Sequence, residues 1–470
     1  MSNTTVPTPA APPSDVNSIG DLTDVLMTLV EGSCHGPLFK AAAEEVASAI
    51  GPVLGKEDSR TQSWREHRVF DRLLEPDRIV RFRVEWVDDE GKPQINRAWR
   101  VEHTNVIGPY KGGLRFRHTV TEDTLSFLAY EQCFKNALTG LPLGGGKGGS
   151  DFEPKGKSEG EVMRFCQGFM TELSKYIGPD EDVPAGDIGV GGREIGFMYG
   201  RWLKLTKKPV GVLTGKPLQL GGLPGREEAT GYGTVAFAKA MLEQAGGSMD
   251  GARVAISGAG NVSLFAAERA LERGAQVVSV SDSGGALFCD GGLTREQLDE
   301  IMTLKLRQRG KLSDYSGDGV EYNDGGKPWG MGKYDVALPC ATQNEIEDKD
   351  AEAIADAGGK YVAEGANMPC THGAKEVFND RGVTLGPGKA ANAGGVGMSG
   401  FEMAQNSGRV PWTKERAIDE LETMMARIHE QCVEFGQTND KGGDGVDYEV
   451  GANRAGFAKL ADAVVAVGVG

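Results

Sequence analysis

The sequence predicts an α/β protein in two parts, an α+β domain followed by a doubly wound parallel sheet. Three observations carry this. Segments of alternating polarity between residues 79 and 103 read as an antiparallel hairpin, before any crossover pattern begins. From about residue 221, short apolar runs alternate with helix-length segments. Of the 470 residues, 69 are glycine with no collagen-like period, clustered in short loops of the kind that let backbone approach a ligand.

Residues 1–18 are rich in Pro, Ser, Thr and Asn and are expected to form a disordered tail. Residues 21–55 carry helical periodicity. In the hairpin, Val80, Phe82, Val84 and Trp86 alternate with Arg81, Arg83 and Glu85, and Asp88-Asp89-Glu90-Gly91 makes the turn. Residues 227–245 read as a helix, 253–257 as a buried strand, then a glycine turn and a helix ending near Gly274. Residues 275–281, 334–339, 360–364 and 383–387 are further strands, and 412–465 is mostly helical.

The charge balance is 51 basic against 67 acidic residues, a net charge of −16, which disfavours nucleic acid and anionic membranes as partners. No apolar run approaches the ~18 residues of a membrane span. The first basic residue is Lys40, so the N-terminus does not look like a secretory or transit signal, and a cytoplasmic location is expected. The 7 cysteines are never spaced as Cys-x-x-Cys and read as reduced thiols. The 6 histidines do not pair at metal-ligand spacing, so no metal is expected.

Three motifs carry chemistry. Gly258-Ala259-Gly260-Asn261-Val262-Ser263 follows a strand and opens a helix, and Asp282 ends the next strand, the context of a Rossmann-type dinucleotide site. Asp282 alone would take a ribose 2′-hydroxyl and favour NAD. Ser283 with Lys305, Arg307 and Arg309 would suit the 2′-phosphate of NADP, and the residues leave the choice open. Second, residues 108–151 hold Lys111, Lys135 and Lys147 in otherwise apolar or glycine-rich surroundings, a pocket for a dianion if they converge. Mutual repulsion would then lower the pKa of one lysine and make it a base. Neither Gly146-Lys147 nor Gly215-Lys216 fits a nucleotide-triphosphate loop. Third, Asp187 stands among glycines and would serve as a proton-transfer acid if the lysines lie beside it.

Together these segments resemble the hexameric glutamate dehydrogenases, specifically the NADP-type. The likeness runs from about Asp21 to Gly468 and is dense at 107–116, 131–152, 183–196, 229–233, 257–262, 339–345, 364–369 and 386–406. It implies that Lys111 and Ser399 hold the substrate's distal carboxylate. Gln132 and Lys135 are implied for the α-carboxylate, Lys147 as the catalytic lysine, Asp187 as the proton-transfer acid and Gly186 as a backbone contact. Thr230 and Asn261 match cofactor contacts beside Gly258 and Gly260, and the Asp282-Ser283 pair with Lys305 matches NADP-type members. Ser263 and Glu227 depart from the expected Ala and Pro, and Gln308 stands where some relatives have Arg. The resemblance implies a substrate and oligomerisation domain over 19–220, completed by 396–470, a dinucleotide domain over 221–395, and a homohexamer. The implied substrates are L-glutamate, 2-oxoglutarate and ammonium. Relatives acting on apolar amino acids carry an uncharged residue in place of Lys111. A non-catalytic 2-oxoglutarate-binding protein would have no need of both Lys147 and Asp187.

Overall fold

A computed structural model describes residues 19–437 and 445–468, so the expected N-terminal tail lies outside the described residues. Four helices come first, α1 (Ile19–Gly32), α2 (Pro37–Leu54), α3 (Ser59–Glu66) and α4 (Val69–Leu74). The hairpin β1 (Arg78–Val87) and β2 (Pro93–Thr104) follows, turning at Gly91 as its sequence predicts. Then come β3 (Tyr110–Phe116), α5 (Glu122–Leu138), β4 (Gly145–Ser150), α6 (Glu159–Leu173), β5 (Asp182–Gly186) and α7 (Gly192–Thr206).

These five strands form one sheet in the order β1-β2-β4-β3-β5. The hairpin and the β2/β4 pair are antiparallel, whereas β3 runs parallel to both β4 and β5. The sheet is thus mixed, because α5 and α6 act as crossovers that alternation alone does not reveal. Thr121 caps α5 by accepting from Thr124 N–H, and that helix lies directly on β4: a Cβ at Gly145 would overlap Cys133 Sγ. The glycines of β4 are there to let a helix and two strands close around a single lysine.

The second part opens with α8 (Ala229–Gln244), β6 (Arg253–Ile256), α9 (Asn261–Glu272), β7 (Gln276–Asp282), β8 (Gly285–Phe288) and α10 (Arg295–Met302). It continues through β9 (Glu321–Asp324), β10 (Val336–Leu338), α11 (Asp348–Asp356), β11 (Tyr361–Ala363), α12 (His372–Arg381) and β12 (Thr384–Gly386). The order is β12-β11-β10-β6-β7-β8-β9, parallel from β12 to β7, with β8 and β9 added antiparallel at one edge. Both faces are covered. Val254 and Ile256 pack toward α8 and α9, and Ala255 packs toward α11 and α12. Helices α13 (Gly388–Ala391), α14 (Gly394–Gly408), α15 (Lys414–Gly436) and α16 (Tyr448–Val467) complete the chain. The last of these returns to the first part, where Phe457, Leu460 and Ala461 join the core of α2 and α5. Among the described residues no helix is long and apolar enough to cross a membrane.

Candidate active site

Lys111 is the second residue of β3, and the two glycines after it set its surroundings. A Cβ at Gly112 would overlap the Gly146 carbonyl oxygen, and one at Gly113 would stand 2.8 Å from Asp187 Cβ. Only glycine allows β4 and the Asp187 loop to approach so closely. Because β5 pairs with β3, Asp187 arrives beside β4, and Lys147 Nζ lies 3.0 Å from its Oδ2. Arg115 Nε donates to the same oxygen at 2.9 Å. Burial opposes ionisation of Asp187, yet Lys147 and Arg115 hold it down to about 2. Lys147 itself is lowered from its ordinary value, because burial and Arg115 outweigh the pull of Asp187. A lysine that surrenders its proton more readily than usual therefore touches a carboxylate fixed in its charged form.

Lys111 is fully buried and its ammonium has no hydrogen-bond partner. Burial first, then the charges of Arg100 and Arg226, push its pKa well below the usual lysine range. The nearby carboxylates are already committed: Arg100 Nε donates to Asp182 at 2.7 Å, and Lys216 Nζ sits 2.7 Å from Glu402. Sequence reasoning missed Arg226, which is half-buried with its Nε enclosed and unpartnered. In sequence it stands in Gly-Arg-Glu-Glu, which reads as a solvated charged turn. Ser399 is buried on α14 and donates to the Gly395 carbonyl at 3.3 Å. A Cβ at Gly395 would stand 2.7 Å from Thr230 Oγ1 and 3.6 Å from an Arg226 nitrogen, so α14 crosses the start of α8 at these groups.

Gln132 and Lys135 lie one turn apart on α5. Gln132 donates to Asn136 at 2.7 Å. Lys135 reaches Asn392, and Asn367 at 3.4 Å, and so bridges from the first sheet's helix to the second part. Burial and the neighbouring Lys147 lower its pKa to about 8. Gln132, Lys135 and Lys147 line a cleft of about 940 Å³ together with Asn344, Asn367 and Lys389 of the second part. Gly186 ends β5, directly before Asp187.

The glycine turn sits at the carboxyl end of β6, where strand order reverses between β7 and β10. Gly258 adopts φ +87° and donates to Ser281 Oγ at 3.1 Å. Ser263 Oγ donates to the Gly260 carbonyl at 3.0 Å, so the departure from the glycine pattern is absorbed as a helix-start contact. No side chain caps α9, which begins at Asn261, and a Cβ at Gly260 would meet nothing within 4 Å. The first turn is open to an anion. At the end of β7, Asp282 is held by three donors: Lys305 at 2.6 Å, Leu312 N–H at 3.0 Å and Gly284 N–H at 2.9 Å. Its neighbour Ser283 is exposed. The fold thus gathers Lys111, Gln132, Lys135, Lys147, Gly186 and Asp187 in the first part. Gly258, Gly260 and Asn261 form the turn into α9, Thr230 opens α8, which packs on α9 at Gly231, and Asp282, Ser283 and Lys305 form a separate group one strand away.

Residues 221–468 match the Glutamate/Leucine/Phenylalanine/Valine dehydrogenase family, and residues 76–204 match the Glu/Leu/Phe/Val dehydrogenase dimerisation domain. The chain belongs to this family. It is 51% identical to the NADP-specific glutamate dehydrogenase of Escherichia coli (strain K12), over 92% of this chain and 95% of that one. Among solved structures it resembles a Plasmodium falciparum glutamate dehydrogenase with TM-score 0.89 and 40% identity, covering 96% of this chain and 95% of the other. A hetero-hexameric glutamate dehydrogenase from Thermus thermophilus, in a leucine-bound form, resembles it with TM-score 0.81 and 26% identity, covering 93% and 99%.

Proposed function

We propose that this chain is an NADP-dependent glutamate dehydrogenase that interconverts L-glutamate with 2-oxoglutarate and ammonium, serves ammonium assimilation, and works as a cytoplasmic homohexamer. The observation that carries the reading is the buried, unpartnered ammonium of Lys111, on the same sheet as the Lys147–Asp187 pair. Substrate binding falls to residues 19–220 with 396–470, and dinucleotide binding to 221–395. The match to a dimerisation domain supports self-assembly.

The residues around the β6 turn fit the dinucleotide: an uncapped helix start, open space at Gly260, and Asp282 already neutralised in part by Lys305. A free Asp282 would repel a 2′-phosphate, whereas an Asp282 held by Lys305 leaves Ser283 and the cations at 305–309 to receive it. Bound NADP supplies the hydride acceptor. The protein does the rest. Lys111 and Arg226, with Ser399, attract the distal carboxylate; Gln132 and Lys135 hold the α-carboxylate, which fixes Cα in the cleft. Lys147, poised to lose its proton, activates the water that attacks the imine carbon of the oxidised substrate. Asp187, beside it, moves protons to and from the departing nitrogen. Arg115 keeps Asp187 oriented and charged.

The reaction is tested by following reduced-cofactor oxidation with 2-oxoglutarate and ammonium, with NADPH and NADH side by side. Strong preference for NADPH is expected. Preference for NADH would give the ribose to Asp282, and no oxidation of either would favour the non-catalytic binding protein.

A further inference from the structure

We propose that Cys34, His35 and Glu75, remote in sequence from every residue of the candidate active site, form a binding site for a thiophilic divalent cation, with zinc(II) the best fit. Their ligand atoms, one thiol, one ring nitrogen and one carboxylate oxygen, all lie within 4.8 Å of one another. Cys34 and His35 occupy the loop between α1 and α2, and Glu75 directly follows α4. Sequence spacing gives no sign of this set, because only the fold brings Glu75 to the loop.

The decisive atom is His35 Nε2. The side chain is only 9% exposed, yet this nitrogen has no hydrogen-bond partner. A buried polar atom left unmet calls for a reason. It stands 3.6 Å from Glu75 Oε2, too far for a hydrogen bond. Zinc bonds of about 2.0–2.1 Å to nitrogen and oxygen place two tetrahedral ligands about 3.3–3.4 Å apart, so the observed gap needs little closing.

The loop is also held in place. His35 stacks on Phe39, ring centroids 3.9 Å apart and 24° between planes. A Cβ at Gly36 would overlap the Asp123 carboxylate, which accepts from Leu38 N–H at 3.3 Å and Phe39 N–H at 3.5 Å. The ring is oriented before any ion arrives. Of the seven free cysteines, Cys34 alone is exposed, so the thiol is reachable while the other six are enclosed.

The donor set selects the ion. A thiolate and a carboxylate balance a double positive charge and a neutral imidazole adds none. A sulfur ligand favours zinc over magnesium or calcium. Three protein ligands leave a fourth position for water. An ion there ties the α1–α2 loop to the α4–β1 junction and stabilises the helical layer whenever it binds the folded chain preferentially.

The test uses the whole chain stripped of metal by a chelator. Zinc(II) is titrated in competition with a chromogenic chelator, and cobalt(II) serves as the optical probe. One equivalent per chain is expected, with a thiolate-to-cobalt charge-transfer band and a higher melting temperature. Cys34→Ser abolishes the band, His35→Gln and Glu75→Gln weaken binding at least about tenfold, and His372→Gln, at an exposed histidine beside Glu376, changes nothing. Zinc also slows alkylation of Cys34. Unchanged stoichiometry and band in Cys34→Ser, or no binding in the wild type, overturns the site. Cys34 is exposed, so its variant folds even where His35→Gln does not. Metal-free Cys34→Ser retains wild-type turnover of glutamate, which separates failure of this site from failure of the catalytic reading.

Discussion

Lys111 and Lys216 are both buried, yet they do opposite things. Lys216 is closed into an ion pair with Glu402, whose other oxygen accepts from Gly215 N–H at 2.9 Å. Lys111 has no partner. The two carboxylates that could neutralise it, Asp182 and Glu402, are taken by Arg100 and Lys216. Lys111 and Arg226 thus have no ion-pair partner of their own among the described residues, and Lys111 holds its proton less firmly than an ordinary lysine. A buried ion that has its partner is scaffold. A buried lysine denied one holds its proton less firmly, and a ligand of opposite charge would complete the pair.

The sharpest way to break this comparison is to remove each lysine in turn. Lys216→Met leaves Glu402 buried without its ion-pair partner, and a loss of about 3–5 kcal/mol in unfolding free energy is expected. Lys111→Met removes a buried amine that has no hydrogen-bond partner in the free protein. Urea unfolding should then show stability unchanged or raised, by up to about 4 kcal/mol. Its kcat/KM for glutamate should fall by about a hundredfold to ten-thousandfold, as expected for losing a buried charge partner. Equal destabilisation by the two variants, or unimpaired glutamate turnover in Lys111→Met, would refute the distinction.

Next in size is Asp187→Asn. A loss of about a hundredfold to ten-thousandfold in kcat is expected for a proton-transfer group. The sign of the pH effect adds a second check. Asp187 raises the Lys147 pKa against burial and Arg115. Without that charge the ammonium is less stable, so the alkaline rise in the residual rate moves to lower pH. A shift to higher pH in the pH–rate profile would show that Lys147 does not feel Asp187 as the geometry requires.

Much of this arrangement was legible before folding was considered. The glycines beside Lys111 and Lys147 mark where backbone closes in around two lysines, and the Gly258 turn between strand and helix marks the carboxyl end of β6, the proposed dinucleotide end. Less legible was anything that depends on pairing between distant segments. Asp187 is an ordinary turn residue until β5 joins β3. Arg115 occupies the alternate position of a strand and resembles any outward-facing charge. The antiparallel strand β8 is only four residues long, and β9 is both short and polar, so neither stands out. Most of all, the sequence does not say which buried cation has been given a carboxylate, because Glu402 meets Lys216 from the far end of the chain.

A smaller effect separates the two cofactor readings. Lys305→Ala frees Asp282 from its cation, leaving the Gly284 and Leu312 N–H donors in place. The released charge faces any 2′-phosphate, and the preference for NADPH over NADH, read as a ratio of kcat/KM values, should fall about tenfold to a hundredfold, the worth of one charge-assisted hydrogen bond. An unchanged ratio would mean that Ser283 and the arginines at 307 and 309 set the preference by themselves.

The mildest test carries the same distinction between scaffold and ligand site into the backbone. Gly258 holds φ +87°, and an added Cβ would stand 3.1 Å from Ala341 Cα and 3.2 Å from the Cys340 carbonyl oxygen. Gly258→Ala therefore strains the junction of β6 with β10 and should lower unfolding free energy by about 1–2 kcal/mol. Gly260 has an extended backbone and open space where its Cβ would go. Gly260→Ala should leave stability within about 0.5 kcal/mol and instead raise the KM for NADPH, because the methyl group occupies room that the free protein does not use. If both alanines act through stability, or both through KM, the open start of α9 is only a turn. If they divide as expected, the space at Gly260 belongs to the proposed dinucleotide site in the same sense that unpartnered Lys111 belongs to the proposed substrate site.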